Sequence, residues 1–291
     1  MTVQGALGVS AGYRRRRLIL RWLKPTLTHT LMLVGSAVML FPFLWMVSIS
    51  LGTQAQLFRN PPEWLPNPVL PGNYPEALTQ LKFANALGNT AFITVLSLVG
   101  QLLSVTMVAF AFARLRWPGR QVLFVVLLAT MMVPPQVTQI PLYIIWRSLG
   151  AIDTYWPLIL PNYFGEAYLI FLARQFFMTI PSEIEDAARV DGCGYRDIYW
   201  RVMLPLAIPL ILTISLFAIL WNWNDFYGPL IYLNSPEKFT LQLGLRTFSS
   251  QYRLNYPLFM AAATTIVLPI IVIFLFGQRY FVRSIVLTGL K

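Results

Sequence analysis

The sequence predicts an all-α polytopic membrane protein of six transmembrane helices, and three observations carry that prediction. Hydrophobic residues make up 57% of the 291, charged residues only 11% and aromatic residues 14%, a balance far from that of a soluble globular domain. Six apolar stretches each reach the roughly 20 residues that a helix needs to cross a hydrocarbon core about 30 Å thick. The Lys and Arg residues crowd the segments on one side of those stretches.

The first stretch, Leu27 to Leu51, is too long for the apolar region of a secretory signal and has no small-residue cleavage site, so it is expected to be a retained anchor. The loop after it, NPPEWLPNPVLPGNYP from Asn60 to Pro75, is crowded with proline and is expected to be extended or turning. Its Trp64 and Tyr74 suit a membrane interface. Phe83 to Ala113 is the second stretch and Val122 to Trp146 the third. The third carries MMVPPQVTQIP, in which Pro134, Pro135 and Pro141 remove helix hydrogen bonds. Such a break survives in a membrane only where neighbouring helices or a water-lined cavity satisfy the freed backbone. The fourth, fifth and sixth stretches run from Tyr155 to Phe177, Leu204 to Asp225 and Tyr256 to Val282.

An even number of spans places both termini on one side. That side holds 16 Lys and Arg residues, including Arg14 to Arg17, Arg114, Arg116, Arg120, Arg189, Arg196, Arg201, Arg279 and Arg283, against six on the other. The positive-inside rule makes the heavy side cytoplasmic. The net charge of +11 is therefore mostly topology, and no nucleic-acid partner is expected. The single Cys193 allows no intrachain disulfide, His29 alone builds no multi-histidine metal site, and no HExxH, CxxC or GxxxxGK[ST] pattern occurs.

Between the fourth and fifth stretches lies a segment unlike the rest. Glu185 to Pro209, EDAARVDGCGYRDIYWRVMLPLAIP, carries four acidic and three basic residues on the expected cytoplasmic side. Ser182-Glu183-Ile184-Glu185 matches a capping box that opens a helix. Ile184, Ala187, Ala188 and Asp191 follow at helical spacing, and Gly192 and Gly194 are suited to stop it. Tyr195, Ile198, Tyr199 and Val202 suggest a second short helix, with Pro205 and Pro209 in the first turns of the next span. A helix resting on lipid favours bulky apolar anchors and cations. This one offers alanines beside Glu183, Glu185, Asp186 and Asp191, which favours a protein partner over a lipid surface.

The spacing DAA, three residues, Gly192, nine residues, Val202, one residue, LP resembles the EAA motif of ATP-binding-cassette importer permeases. Asp186 stands where that family usually has Glu, and Val202 where it has Ile. FARLRWPGR, PLILP, FLARQFFMTIP, WNWNDFYGPLIYL, FTLQLGLRTF and the tail QRYFVRSIVLTGLK extend the resemblance to carbohydrate-uptake permeases of the maltose-transporter type, in particular the smaller, second permease subunit. The resemblance implies a type I importer permease fold over residues 1–291 as one transmembrane domain. It implies a cytoplasmic segment 1–26, a coupling loop 178–203 and a cytoplasmic tail 283–291, in the cytoplasmic membrane of a bacterium or archaeon. The implied partners are a second homologous permease, two cytoplasmic ATPase subunits and an external sugar-binding protein, besides membrane lipid. ATP and Mg would sit on the ATPase, with no cofactor on this chain. Residues Glu185, Asp186, Ala187, Ala188, Asp191, Gly192, Val202 and Pro205 would couple to the ATPase, with Pro205 and the fifth helix carrying the motion onward.

Polar residues at membrane depth mark the candidate substrate path. Glu166 falls near the middle of the fourth stretch with Asn162 one turn before it; it either accepts sugar hydroxyls or pairs with a cation to fix packing. Gln139 lies beside the prolines of the third stretch. In WNWND, Trp221, Asn222 and Asp225 share a helical stripe suited to a sugar ring and its hydroxyls, or to an interfacial belt that ends the helix. A secondary transporter is the alternative, but it normally has ion-binding groups at the midplane and internal repeats, and Glu166 is the only clear midplane carboxylate. No paired catalytic groups stand out, so an enzyme is not expected.

Overall fold

The computed structural model describes residues 11–60, 63–248 and 255–288, and the described residues contain helices and turns but no strand. Helix α1, Ala11–Ser50, runs along α11, Tyr256–Thr288. Over its most apolar 18-residue window α1 buries nothing in the chain, and its Leu33, Met39 and Leu44 are largely exposed, as an apolar helix facing lipid should be; full burial comes only at its end, at Ser50. Residues 1–10 and 289–291, together with Arg253, lie outside the described residues. So do the side chains of Arg14 to Arg17, Arg21, Lys24, Arg279 and Arg283.

After the proline-rich loop come α2, Asn73–Gln80, and α3, Phe83–Arg114. At 1.5 Å per residue the 32 residues of α3 span about 48 Å. Its buried residues Ala86, Thr90, Ile93, Ser97, Gly100, Val105, Ala109 and Phe112 recur at three- to five-residue intervals, so one face is enclosed by neighbouring helices. The small residues on this face let the partners approach closely. Gly100 illustrates it: a Cβ there would fall 2.3 Å from the Tyr163 ring.

The third stretch is not one helix. It is α4, Arg120–Thr130, and α5, Pro135–Ser148, bent by 96° at Met131–Pro134. Proline at two successive positions denies the chain the donors that would continue α4. The fourth stretch is also broken, into a turn at Trp156–Ile159, a 3₁₀ segment Leu160–Phe164 and α6, Ala167–Thr179. Pro161 and the left-handed Gly165, φ +79°, account for the interruption. The charged loop holds α7, Ser182–Val190, and α8, Tyr195–Leu206. The fifth stretch begins later than expected, as α9, Ile208–Trp223, bent by 77° from α8 at Ala207. A short helix α10, Tyr227–Tyr232, follows it. Three described helices are long and apolar enough to cross a membrane alone, and five crossings result if each bent pair is one.

The largest core cluster sits at the loop end of the bundle. There Val105, Ala109 and Phe110 of α3 meet Leu169, Ile170, Ala173 and Phe177 of α6, Ile198, Tyr199 and Met203 of α8, and Leu210 and Ile214 of α9. Two smaller clusters, around Trp223 and Leu258 and around Ile159 and Leu243, occupy the other end.

Candidate functional site

The charged loop is built as two helices on a fixed corner. Helix α7 ends in a Schellman arrangement: Gly192, at φ +82°, donates its N–H to the Arg189 carbonyl at 3.0 Å, and Cys193 donates to the Ala188 carbonyl at 2.9 Å. Gly194 then opens α8 in an extended conformation. The middle of α8, Ile198–Met203, is wound as a π-helix, a wider turn that needs lateral support from packing. That support is present: Ile198 and Met203 are 1% and 0% exposed.

The loop is sharply two-faced. Glu185 and Ala188 of α7 are buried, as are Ile198, Tyr199 and Met203 of α8, and Val202 is half-buried. Asp186, Ala187, Val190, Asp191 and Gly192 are exposed, as is Pro205 farther on. Of the residues that the sequence placed in contact with an ATPase, Glu185 and Ala188 therefore face inward. The capping box is not formed either, because Ser182 is itself the first helical residue behind Pro181. Glu185 instead takes a hydrogen bond from Arg189 Nη2 at 2.6 Å and lies 3.8 Å from Arg114 Nη1.

Two anchors tie this inner face to the bundle. The Tyr199 hydroxyl meets Thr106 Oγ1 of α3 at 2.7 Å, and desolvation raises the Tyr199 pKa above its ordinary value. Arg114, at the last turn of α3, donates from Nη2 to the carbonyls of Phe177, at 2.6 Å, and of Ile180. Neither anchor was foreseen. In the sequence Arg114 stands out only as one of the cytoplasmic-side cations and as part of FARLRWPGR, and Tyr199 only as one position of a periodic stripe.

The substrate-path candidates are more dispersed. Glu166 is not mid-helix: it is the N-cap of α6, its Oε2 accepting the Leu169 N–H at 2.9 Å. Asn162 lies in the 3₁₀ segment and donates its amide to the Leu158 carbonyl at 3.0 Å. Asn222 donates to the Ala218 carbonyl at 2.8 Å, and Asp225 caps the next turn by accepting the Gly228 N–H at 3.0 Å. Gln139 is half-buried on α5. What the structure does bring together is aromatic: Trp221 lies 5.5 Å from Phe217, which lies 6.2 Å from Tyr168 of α6, ring centre to ring centre. Trp221 is 44% exposed, so the file ends on an open face.

At the opposite end from the loop, Asp153 is a junction rather than a free surface charge. Its Oδ1 accepts the N–H groups of Asn234 and Ser235, and its Oδ2 accepts the Ser235 hydroxyl and Lys238 Nζ at 2.6 and 2.9 Å. Those bonds, the Ser235 hydroxyl first, hold its carboxyl well below the usual carboxylate range.

The family model for the binding-protein-dependent transport system inner membrane component matches residues 105–287, a range that contains the loop, α6 and α9. The arabinooligosaccharides transport system permease protein AraQ of Halalkalibacterium halodurans is 32% identical over 254 residues, 86% of this chain and 91% of that one. The sn-glycerol-3-phosphate transport system permease protein UgpE of Brucella abortus is 30% identical over 269 residues, 89% of this chain and 95% of that one. Among solved structures, a chain of a bacterial ABC transporter involved in the import of the acidic polysaccharide alginate superposes with a TM-score of 0.78 at 25% identity, over 94% of this chain and 99% of that one.

Proposed function

We infer this chain's role from one premise: it belongs to the family of binding-protein-dependent transport system inner membrane components, and is a transporter permease subunit rather than a catalytic enzyme. It is the permease of an ATP-driven importer, and its cargo is a carbohydrate, from an oligosaccharide to a sugar phosphate. The named cargoes of its relatives, arabino-oligosaccharides and sn-glycerol-3-phosphate, support that class.

The chain crosses the membrane six times, each broken stretch counting once, with both termini and the α7–α8 loop in the cytoplasm. The excess of Lys and Arg on the loop side supports this orientation. The loop docks on one of two ATPase subunits, which carry ATP and Mg. A second homologous permease completes the pathway, and an external binding protein delivers the sugar. Asp186, Ala187, Asp191 and Gly192 make the ATPase contact. Glu185, Ala188 and Val202 hold the loop to the bundle, and Pro205 stands at the junction with α9. The observation that carries this reading is the division of the loop into an anchored inner face and an exposed acidic and small-residue outer face. Trp221 and Asn222 on α9, Asp225 just beyond its end, Asn162 and Glu166 beside α6, and Gln139 on α5 border the substrate path, with the open end of the aromatic file as the sugar-facing part.

Cys193 provides the test, being the only cysteine in the chain, half-buried in the corner between α7 and α8. A membrane-impermeant maleimide should label it in inside-out vesicles, and a co-expressed ATPase subunit should block the labelling. Labelling from the outer face alone would refute the orientation. Labelling that a stably bound ATPase leaves unchanged would refute the docking role.

A further inference from the structure

Three elements converge on Arg114, whose side chain is only 10% exposed. Its Nη2 holds the carbonyls of Phe177 and Ile180, where α6 ends and the loop begins. A cation there also meets the negative end of the α6 dipole. Its Nη1 faces Glu185, itself 7% exposed, in the first turn of α7. Its Nε is buried without a partner, so the orientation of the guanidinium is set by those carbonyls and that carboxylate alone. A planar fork can hold two oxygens in fixed directions, which a point charge on a flexible stem cannot do. Withdrawing Glu185, which would keep its own pair with Arg189 of α7, would leave the buried Arg114 cation without its carboxylate.

The covalent route from the loop into α9 is weaker. It passes a 77° bend at Ala207, flanked by Pro205 and Pro209, neither of which has an N–H to donate. A displaced loop can hinge there. It cannot leave α3 and α6 without breaking the Arg114 contacts and the Tyr199–Thr106 hydrogen bond.

We propose that Arg114 is the positioning residue that carries movement of the loop into α3 and α6, so that these three elements shift as one body while the α8–α9 junction flexes. This inference rests on the reading of the loop as the ATPase-docking element. It replaces the expectation that Pro205 and the fifth helix transmit the motion.

Paired spin labels test it in the assembled transporter, reconstituted in nanodiscs with cysteine-free partner subunits. In a Cys193→Ser chain, Arg196→Cys on α8, outside the ATPase contact, is combined with Val95→Cys on α3 or with Leu268→Cys on α11, all at exposed positions. On adding ATP and vanadate, the Arg196→Cys to Leu268→Cys distance should shift by roughly 2–5 Å, the scale of helix displacements in switching proteins. The Arg196→Cys to Val95→Cys distance should stay fixed. In Arg114→Gln the second distance should also shift, and Arg114→Lys should fall between. A structural role alone would not produce that nucleotide-dependent difference. If Arg114→Gln fails to assemble, Glu185→Gln gives the same readout. A Val95→Cys pair that shifts in the otherwise unchanged chain, or stays fixed in Arg114→Gln or Glu185→Gln, overturns the proposal. If neither pair responds in the otherwise unchanged chain and no ATPase is retained, the docking reading fails and the proposal falls with it.

Discussion

Tyr199 of the loop and Thr106 of α3 share a buried hydroxyl contact of 2.7 Å, and its direction is fixed by a third group. Thr106 Oγ1 already donates its proton to the Leu102 carbonyl at 2.6 Å, so Tyr199 is the donor and Thr106 the acceptor. The two ends of the bond are therefore not equivalent. Tyr199→Phe removes the donor and leaves Thr106 bonded to Leu102, a loss of about 1 kcal/mol. Thr106→Val strands the Tyr199 hydroxyl in a place where the residue is 5% exposed, a loss of about 1–3 kcal/mol. Thermal unfolding in detergent should rank Thr106→Val below Tyr199→Phe; the reverse order would show that Tyr199 finds another acceptor.

Gly192 tests the corner of the loop without disturbing its contacts. A Cβ there meets nothing within 4 Å, yet the residue sits at φ +82°. Gly192→Ala should therefore act through backbone strain alone, at about 1–2 kcal/mol. Gly192→Asn should cost less, since asparagine visits this region more readily. The melting temperature of the chain purified without an ATPase subunit should follow the same order. Equal behaviour of the two variants would mean that the corner rearranges.

Glu166 caps α6, and its variants should report a helix end. Glu166→Ala should lower stability by about 1 kcal/mol, and Glu166→Asn, a good N-cap, should recover most of it. Uptake of an oligosaccharide by the assembled transporter should follow stability in both. Loss of uptake in Glu166→Asn at full stability would instead assign the carboxylate to the substrate.

What was legible in the sequence is what depends on local pattern. The second stretch, expected at Phe83 to Ala113, is α3 at Phe83–Arg114, because a continuous apolar run without proline has one outcome in a membrane. The two-helix loop with its glycine corner was legible for a similar reason: left-handed backbone and helical spacing both act within a few residues. The break at Phe164–Glu166 was not, since hydropathy averaged over a span does not register where Pro161 and Gly165 stop a helix. The inner anchors were also hidden. Arg114 finds Glu185, Phe177 and Ile180 only after α3 and α6 have packed, and no spacing rule links residues so far apart. Glu185 was placed on the docking face because its sequence neighbours suit one. Its burial follows from the phase of α7 against α3, which tertiary contacts set.

The junction at the opposite end from the loop should give the protein a specific acid sensitivity. The Asp153 carboxyl titrates well below its ordinary value because it accepts hydrogen bonds from Ser235, Lys238 and Asn234. In the unfolded chain it would titrate near about 3.9. As pH falls through that value, the unfolded state takes up a proton that the folded state still refuses, so the stabilisation is complete above about pH 5 and declines on further acidification. Asp153→Asn retains an acceptor for the Asn234 and Ser235 N–H groups but loses the charge facing Lys238. The melting temperature of the unmodified chain should therefore exceed that of Asp153→Asn by a constant margin between about pH 8 and 5, and the margin should narrow toward about pH 3. Part of the margin should also fade at high salt, because the Asp153 side chain is 25% exposed and the Lys238 side chain 37%. A margin independent of pH would mean that the hydrogen-bond geometry of Asp153, rather than its charge, holds the junction together.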